Sequence, residues 1–140
     1  MVRKTFFCLF LTLLIVGCSR EKEDNEIYEY NLPENVIGYD EQLVNTSKDE
    51  FINSEQEYKK FTHSETASGI NFSKKSLVVI YGCAKSGITK LNKSILKTDD
   101  RYSITILVQT NIHQTIDSWY VAYVVPKTVA NKVHYCLAYD

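Results

Sequence analysis

The residues able to do chemistry are few, and their spacing is what decides among their uses. The 140-residue chain carries three histidines, His63, His113 and His134, and four cysteines, Cys8, Cys18, Cys83 and Cys136. No histidine lies at a zinc-ligand spacing from another histidine or from a cysteine pair, except that His134 and Cys136 share one strand face at i and i+2. Two ligands do not close a zinc site, so neither a metal nor another cofactor is expected. His113, Asp117 and Ser118 fall in one short stretch and contain the residue types of a hydrolase triad. No Gly-x-Ser-x-Gly elbow presents the serine, which leaves a small hydrolase as the weakest of the functional readings. Gly82 to Gly87 has the glycine spacing of a phosphate loop, but Ile88-Thr89 follows where Lys-Ser or Lys-Thr is required, so it reads as a turn. Asp99-Asp100 reads as a hairpin turn before it reads as an acid/base pair, because a glycosidase needs two carboxylates across a cleft.

The N-terminal segment is more specific. Arg3 and Lys4 precede an unbroken, mostly apolar run, Phe6 to Val16, too short to span a bilayer and of the length of a signal-peptide core. It ends in Ile15-Val16-Gly17-Cys18. This resembles the lipobox of bacterial lipoproteins. The resemblance implies cleavage before Cys18, a diacylglycerol on its thiol and anchorage in the outer membrane, each buried methylene contributing ~0.8 kcal/mol. The acidic residues in Ser19-Arg20-Glu21-Lys22-Glu23-Asp24 resemble the surface-export signal of Bacteroidota-type lipoproteins, so the periplasmic face and the cell surface both stay open. The expected division is a signal peptide over 1–17, a lipidated cysteine with flexible tether over 18–35, and one domain over 36–140.

Loss of Arg3 and Lys4 with the leader takes the 16 basic residues to 14 against 17 acidic ones, a net charge of −3. A chain with that balance and no basic patch is not expected to bind nucleic acid. Cys83 and Cys136 are the cysteines left after processing, and in an oxidising compartment they are a disulfide candidate. Two buried thiols are the alternative.

The elements that must hold these residues follow from periodicity. Val36-Ile37 and Leu43-Val44 are expected as short edge strands, and Asn45 to Asp49 as a turn. Ser54 and Glu57 have capping-box spacing, and Tyr58 and Phe61 form a narrow stripe on the short helix that follows. Ser76 to Gly82 is a β-branched run of the kind buried on both faces of a sheet. Ile88–Lys97 and Arg101–Thr110 make a hairpin around Asp99-Asp100. Trp119 to Val125 and Val133 to Ala138 complete the set, with Asn111 to Asp117 as a loop. The short connections favour an α+β domain with a five-stranded, mainly antiparallel meander and one preceding helix.

Within Ser54 to Lys127, several features together resemble the family of the protease-complex subunit PrcB. They are Phe72-Ser73 before Leu77-Val78-Val79-Ile80, Gly87-Ile88 at a strand opening, and Trp119 to Val125 closed by Pro126-Lys127. The resemblance implies a small non-enzymatic accessory domain that binds an envelope protein. The sequence also offers aromatic rings with polar tips, as suit glycan or peptide binding, and the binding candidates are Trp119, Tyr120, His113 and Asp117.

Overall fold

The computed structural model describes residues 24–140. The expected signal peptide, the expected lipidation site Cys18 and most of the charged segment after it lie outside the described residues. The domain is α+β, with the order β1 (Tyr28–Glu29), β2 (Thr46–Ile52), α1 (Glu55–Thr62), β3 (Lys75–Ala84), β4 (Ile88–Thr98), β5 (Arg101–Thr110), β6 (Asp117–Pro126) and β7 (Val133–Tyr139). Its strands form two sheets, β1-β6-β3-β2 and β4-β5-β7.

The expected single five-stranded meander is therefore corrected, and the burial pattern explains why. β5 buries every second residue, Tyr102, Ile104, Ile106 and Val108, so it has one core face. β3 buries nearly every residue, so both of its faces are covered. One face, with Val78 and Ile80, meets β5 and β7 across a sandwich core that also holds Trp119, Val121, Tyr123 and Val125. The other face, with Leu77 and Val79, packs beneath Tyr58 of α1 and beneath Leu32, Ile70 and Phe72. The order is thus helix and loops, four-stranded sheet, three-stranded sheet.

Strands consecutive in sequence consequently change sheets. The turn after Ala84 is a corner between sheets and not a hairpin, and the Asn111–Asp117 loop returns the chain from β5 to β6. The Asp99-Asp100 hairpin forms as expected between β4 and β5, with Asp99 in the left-handed region at φ 54°. β7 pairs parallel with β5, against the antiparallel expectation. Parallel pairing requires a long crossover, and the passage through β6 in the other sheet supplies it.

Two boundaries also move. The segment expected as a flexible tether up to residue 35 is built into the domain from Asp24. Lys74 Nζ lies 3.0 Å from an Asp24 carboxylate oxygen, Tyr28–Glu29 pair with β6, and Leu32 is buried. Val36-Ile37 and Leu43-Val44 are not strands of either sheet, whereas the expected turn at Thr46–Asp49 is the first half of β2. An edge strand with mostly exposed polar side chains has the composition of a loop, which is why the pattern misled.

The helix begins where capping chemistry placed it. Ser54 Oγ accepts the Glu57 N–H at 3.1 Å, and the Glu57 carboxylate accepts the Asn53 N–H at 2.7 Å, one residue earlier than in the usual reciprocal box. Glu55 accepts both the N–H and the hydroxyl of Ser68, at 2.7 and 2.6 Å, which ties the Ser64–Ile70 loop to the helix start. The Ser68 hydrogen bonds hold the Glu55 carboxyl below the usual carboxylate range.

Candidate functional site

The expected binding residues do not form one surface. Trp119 is 4% exposed and lies in the sandwich core, so it presents no ring to a ligand; its place in the binding set is corrected. Its indole N–H donates to Tyr139 Oη at 3.1 Å, and that hydroxyl donates in turn to the Thr46 carbonyl at 2.7 Å. Tyr120 points to the opposite face, toward the helix layer, as the strand's period of two requires. His113 and Asp117 sit at the end of the sandwich, on the loop between the sheets.

That loop is held by its own polar groups. Gly87 and Asn111 exchange backbone bonds with its neighbourhood, Gly87 N–H to the His113 carbonyl at 3.1 Å and Asn111 N–H to the Gly87 carbonyl at 2.9 Å. The Asp117 carboxylate accepts the Ile88 N–H at 2.9 Å, and Asn111 Oδ1 accepts the His113 N–H at 2.9 Å. Among the described residues no hydrogen bond joins His113, Asp117 and Ser118 side chains, so no charge-relay arrangement is assembled. No group of three or more His, Cys, Asp or Glu side chains converges among the described residues.

Cys83 and Cys136 are not bonded, which corrects the disulfide expectation. Cys83 is buried at the end of β3, whereas Cys136 is exposed. Tyr135, Leu137 and Tyr139 turn toward the core, so alternation along β7 sends Cys136 to the outer face of the other sheet.

A different place has the shape of a site. A cleft of about 670 Å³ opens on the helix side of the four-stranded sheet. Its floor is Tyr81 of β3 with Glu50 and Ile52 of β2; one wall is Glu57, Lys60 and Phe61 of α1 with His63, and the other is Val36 to Asp40 with Leu43. Small-molecule and peptide clefts fall in the range of ~300–1,000 Å³ and combine apolar walls with a few placed polar groups. Phe61 and Tyr81 rings lie 6.0 Å apart at 54° and form the apolar centre, and Tyr39 stands at the rim with 60% of its surface exposed. Burial pushes the Tyr81 phenol up, and the ammonium of Lys48 opposes that shift. Lys48 in turn pairs with Glu50 at 3.4 Å. The floor therefore offers a neutral phenol that can donate or accept, beside the Glu50 carboxylate, with Lys60 on the helix wall.

Sequence reasoning picked out Tyr58 and Phe61 as a helix stripe but did not see that Phe61 would meet Tyr81. Tyr81 is the one position in Lys75–Ala84 that is not buried, and a polar-tipped ring inside an otherwise aliphatic run was the available signal. Comparison with protein-family models, with curated proteins and with solved structures finds no match to this chain. The likeness to the PrcB family thus rests on the residues quoted for it.

Proposed function

We propose that the chain is an outer-membrane lipoprotein, held by lipid on Cys18, whose domain is a non-catalytic accessory module that binds an extended segment of an envelope protein. The lipobox Ile15-Val16-Gly17-Cys18 supports the anchor. The cleft between α1 and Val36–Asp40 carries the binding reading. It joins apolar contact at Phe61 and Tyr81 to the Lys60 cation and the Glu50 and Glu57 carboxylates, without a nucleophile and base in contact. The likeness to the accessory PrcB family agrees with a protein partner.

The test is a photo-crosslinking amino acid at Tyr39 in the natively lipidated protein, followed by capture and mass spectrometry. One dominant envelope protein is expected, lost on Tyr81→Ala and kept when Asn111–Ile116 is scrambled. Capture that survives Tyr81→Ala would remove the cleft from the proposal. Cys18→Ala should abolish acylation and membrane retention; a cleaved, membrane-retained mutant contradicts the anchor.

The exposed Tyr39 ring beside Asp40 and Glu50 also favours a second reading, a glycan ligand. A glycan array on the purified protein separates the two, since a specific hit that Tyr39→Ala erases would replace the protein partner.

A further inference from the structure

We propose that two copies of the chain join through their β7 edges and are locked by a disulfide between the two Cys136 residues. The oxidising compartment that this lock needs rests on the export reading above; the pairing itself does not.

Each sheet has two edges, and natural proteins guard such edges with charges or proline. β2 carries Lys48, Asp49 and Glu50, and β4 carries Lys90, Lys93 and Lys97. β1 is only two residues long. β7, Val-His-Tyr-Cys-Leu-Ala-Tyr, has no lysine, arginine, carboxylate or proline along its whole length, and it is an outer strand of its sheet.

The free edge has a definite parity. Asp140 N–H donates to the Val108 carbonyl at 2.9 Å and its carbonyl accepts the Thr110 N–H at 2.8 Å, so residue 140 spends both groups on β5. The period of two gives the same orientation to Ala138, Cys136 and His134. Tyr135, Leu137 and Tyr139 then aim their N–H and carbonyl groups outward.

A second β7 laid antiparallel along this edge overlaps fully in one register. Val133 faces Tyr139, His134 faces Ala138, Tyr135 faces Leu137, and Cys136 faces Cys136 across the two-fold axis. Outward groups at Tyr135, Leu137, Tyr139 and the Val133 carbonyl form about six new backbone bonds; the Val133 N–H is already given to Ala130. Because Cys136 spends its backbone on β5, its pair is of the close, non-hydrogen-bonded kind, with Cα atoms ~4.5 Å apart. That lies within the ~4.4–6.8 Å a disulfide spans. Both thiols stand on the same exposed face. One step beyond the strand, the same register sets Lys132 of one copy, which pairs with Asp100 of its own chain at 2.7 Å, against Asp140 of the other, so no like charges meet at the ends.

The lock is ordinary thiol–disulfide exchange. One Cys136 thiolate attacks a small disulfide, such as oxidised glutathione, forming a mixed disulfide and releasing one thiol. The second Cys136 thiolate displaces the other half, so one small disulfide is reduced to two thiols for each bridge made.

The experiment uses the full chain purified in detergent and treated with oxidised glutathione. The expected product is a reducible species of twice the mass containing a Cys136–Cys136 peptide, with slower amide exchange at Tyr135, Leu137 and Tyr139. His134→Lys with Ala138→Lys sets like charges opposite each other twice and should cut the bridged fraction roughly tenfold. His134→Glu with Ala138→Lys should restore it, which excludes misfolding as the cause of the loss. A double-lysine variant that bridges as well as wild type, or a bridged species with unchanged amide exchange, overturns the edge pairing. Since this assay is run in vitro, failure of export or lipidation leaves its outcome unaffected.

Discussion

Replacing Tyr139 by Phe should loosen the contact between the two sheets by about 2 kcal/mol. The Tyr139 hydroxyl on β7 accepts the Trp119 indole N–H from β6 at 3.1 Å and donates to the Thr46 carbonyl of β2 at 2.7 Å. The rings themselves pack edge to face, 6.3 Å apart at 68°, and Phe retains that packing. What is lost is one hydroxyl by which β7 holds two strands of the other sheet. Trp119 is 4% exposed, so its N–H is left without an acceptor and away from water, at ~1–3 kcal/mol. The Thr46 carbonyl belongs to an exposed residue and can turn to solvent, so it adds little. A loss of about 2 kcal/mol corresponds to a drop of roughly 8 °C in Tm for a domain of this size. Urea unfolding followed by far-ultraviolet circular dichroism, a signal that does not depend on Trp119, measures it directly. A double-mutant cycle isolates the reason, because with Trp119→Phe there is no N–H to orphan. In that background Tyr139→Phe should cost under about 1 kcal/mol. Equal losses in both backgrounds would refute the assignment of the penalty to the indole N–H.

Gly82→Ala should destabilise by about 1–3 kcal/mol, because a Cβ there would overlap the Thr46 carbonyl oxygen and come within 3.1 Å of the Trp119 ring. Gly38→Ala meets nothing within 4 Å and should stay within about 0.5 kcal/mol of wild type in the same urea titration. Ser54→Ala removes the acceptor for the Glu57 N–H at the helix start and should cost about 1 kcal/mol, with Ser54→Asp close to wild type. Stability should fall as pH rises beyond the ordinary tyrosine value of 10.0, since burial raises Tyr30, Tyr102, Tyr123 and Tyr139 in the folded state. The unfolded phenols ionise first, so the unfolded state binds fewer protons there; a flat stability profile from about pH 9 to 11 would contradict this.

Local signals were legible in the sequence where one residue type has one physical use. Ser54 and Glu57 marked the helix start, Asp99-Asp100 marked the hairpin, and His134 and Cys136, two apart, marked one face of β7. The partition of strands between sheets was not legible in the same way. Period-two patterning states which side of a strand is buried, but not which strand lies beside it. β3 and β6 bury both faces and β5 buries one, and that difference was the available clue that β3 and β6 form a central layer. Cys136 shows the consequence. Its side of β7 could be assigned from alternation alone, but pairing it with Cys83 rested only on their being the two cysteines left after processing. Once β7 lies in the second sheet, the same alternation that buries Tyr135 and Leu137 turns Cys136 outward, away from Cys83. The cleft failed to show for a related reason. Tyr81, Phe61 and Val36–Asp40 come from three separate stretches, each unremarkable in isolation, and only the stacking of α1 on the buried face of β3 brings them together. A binding surface built by layer stacking leaves no spacing in the chain, whereas a capping box or a lipobox is its spacing.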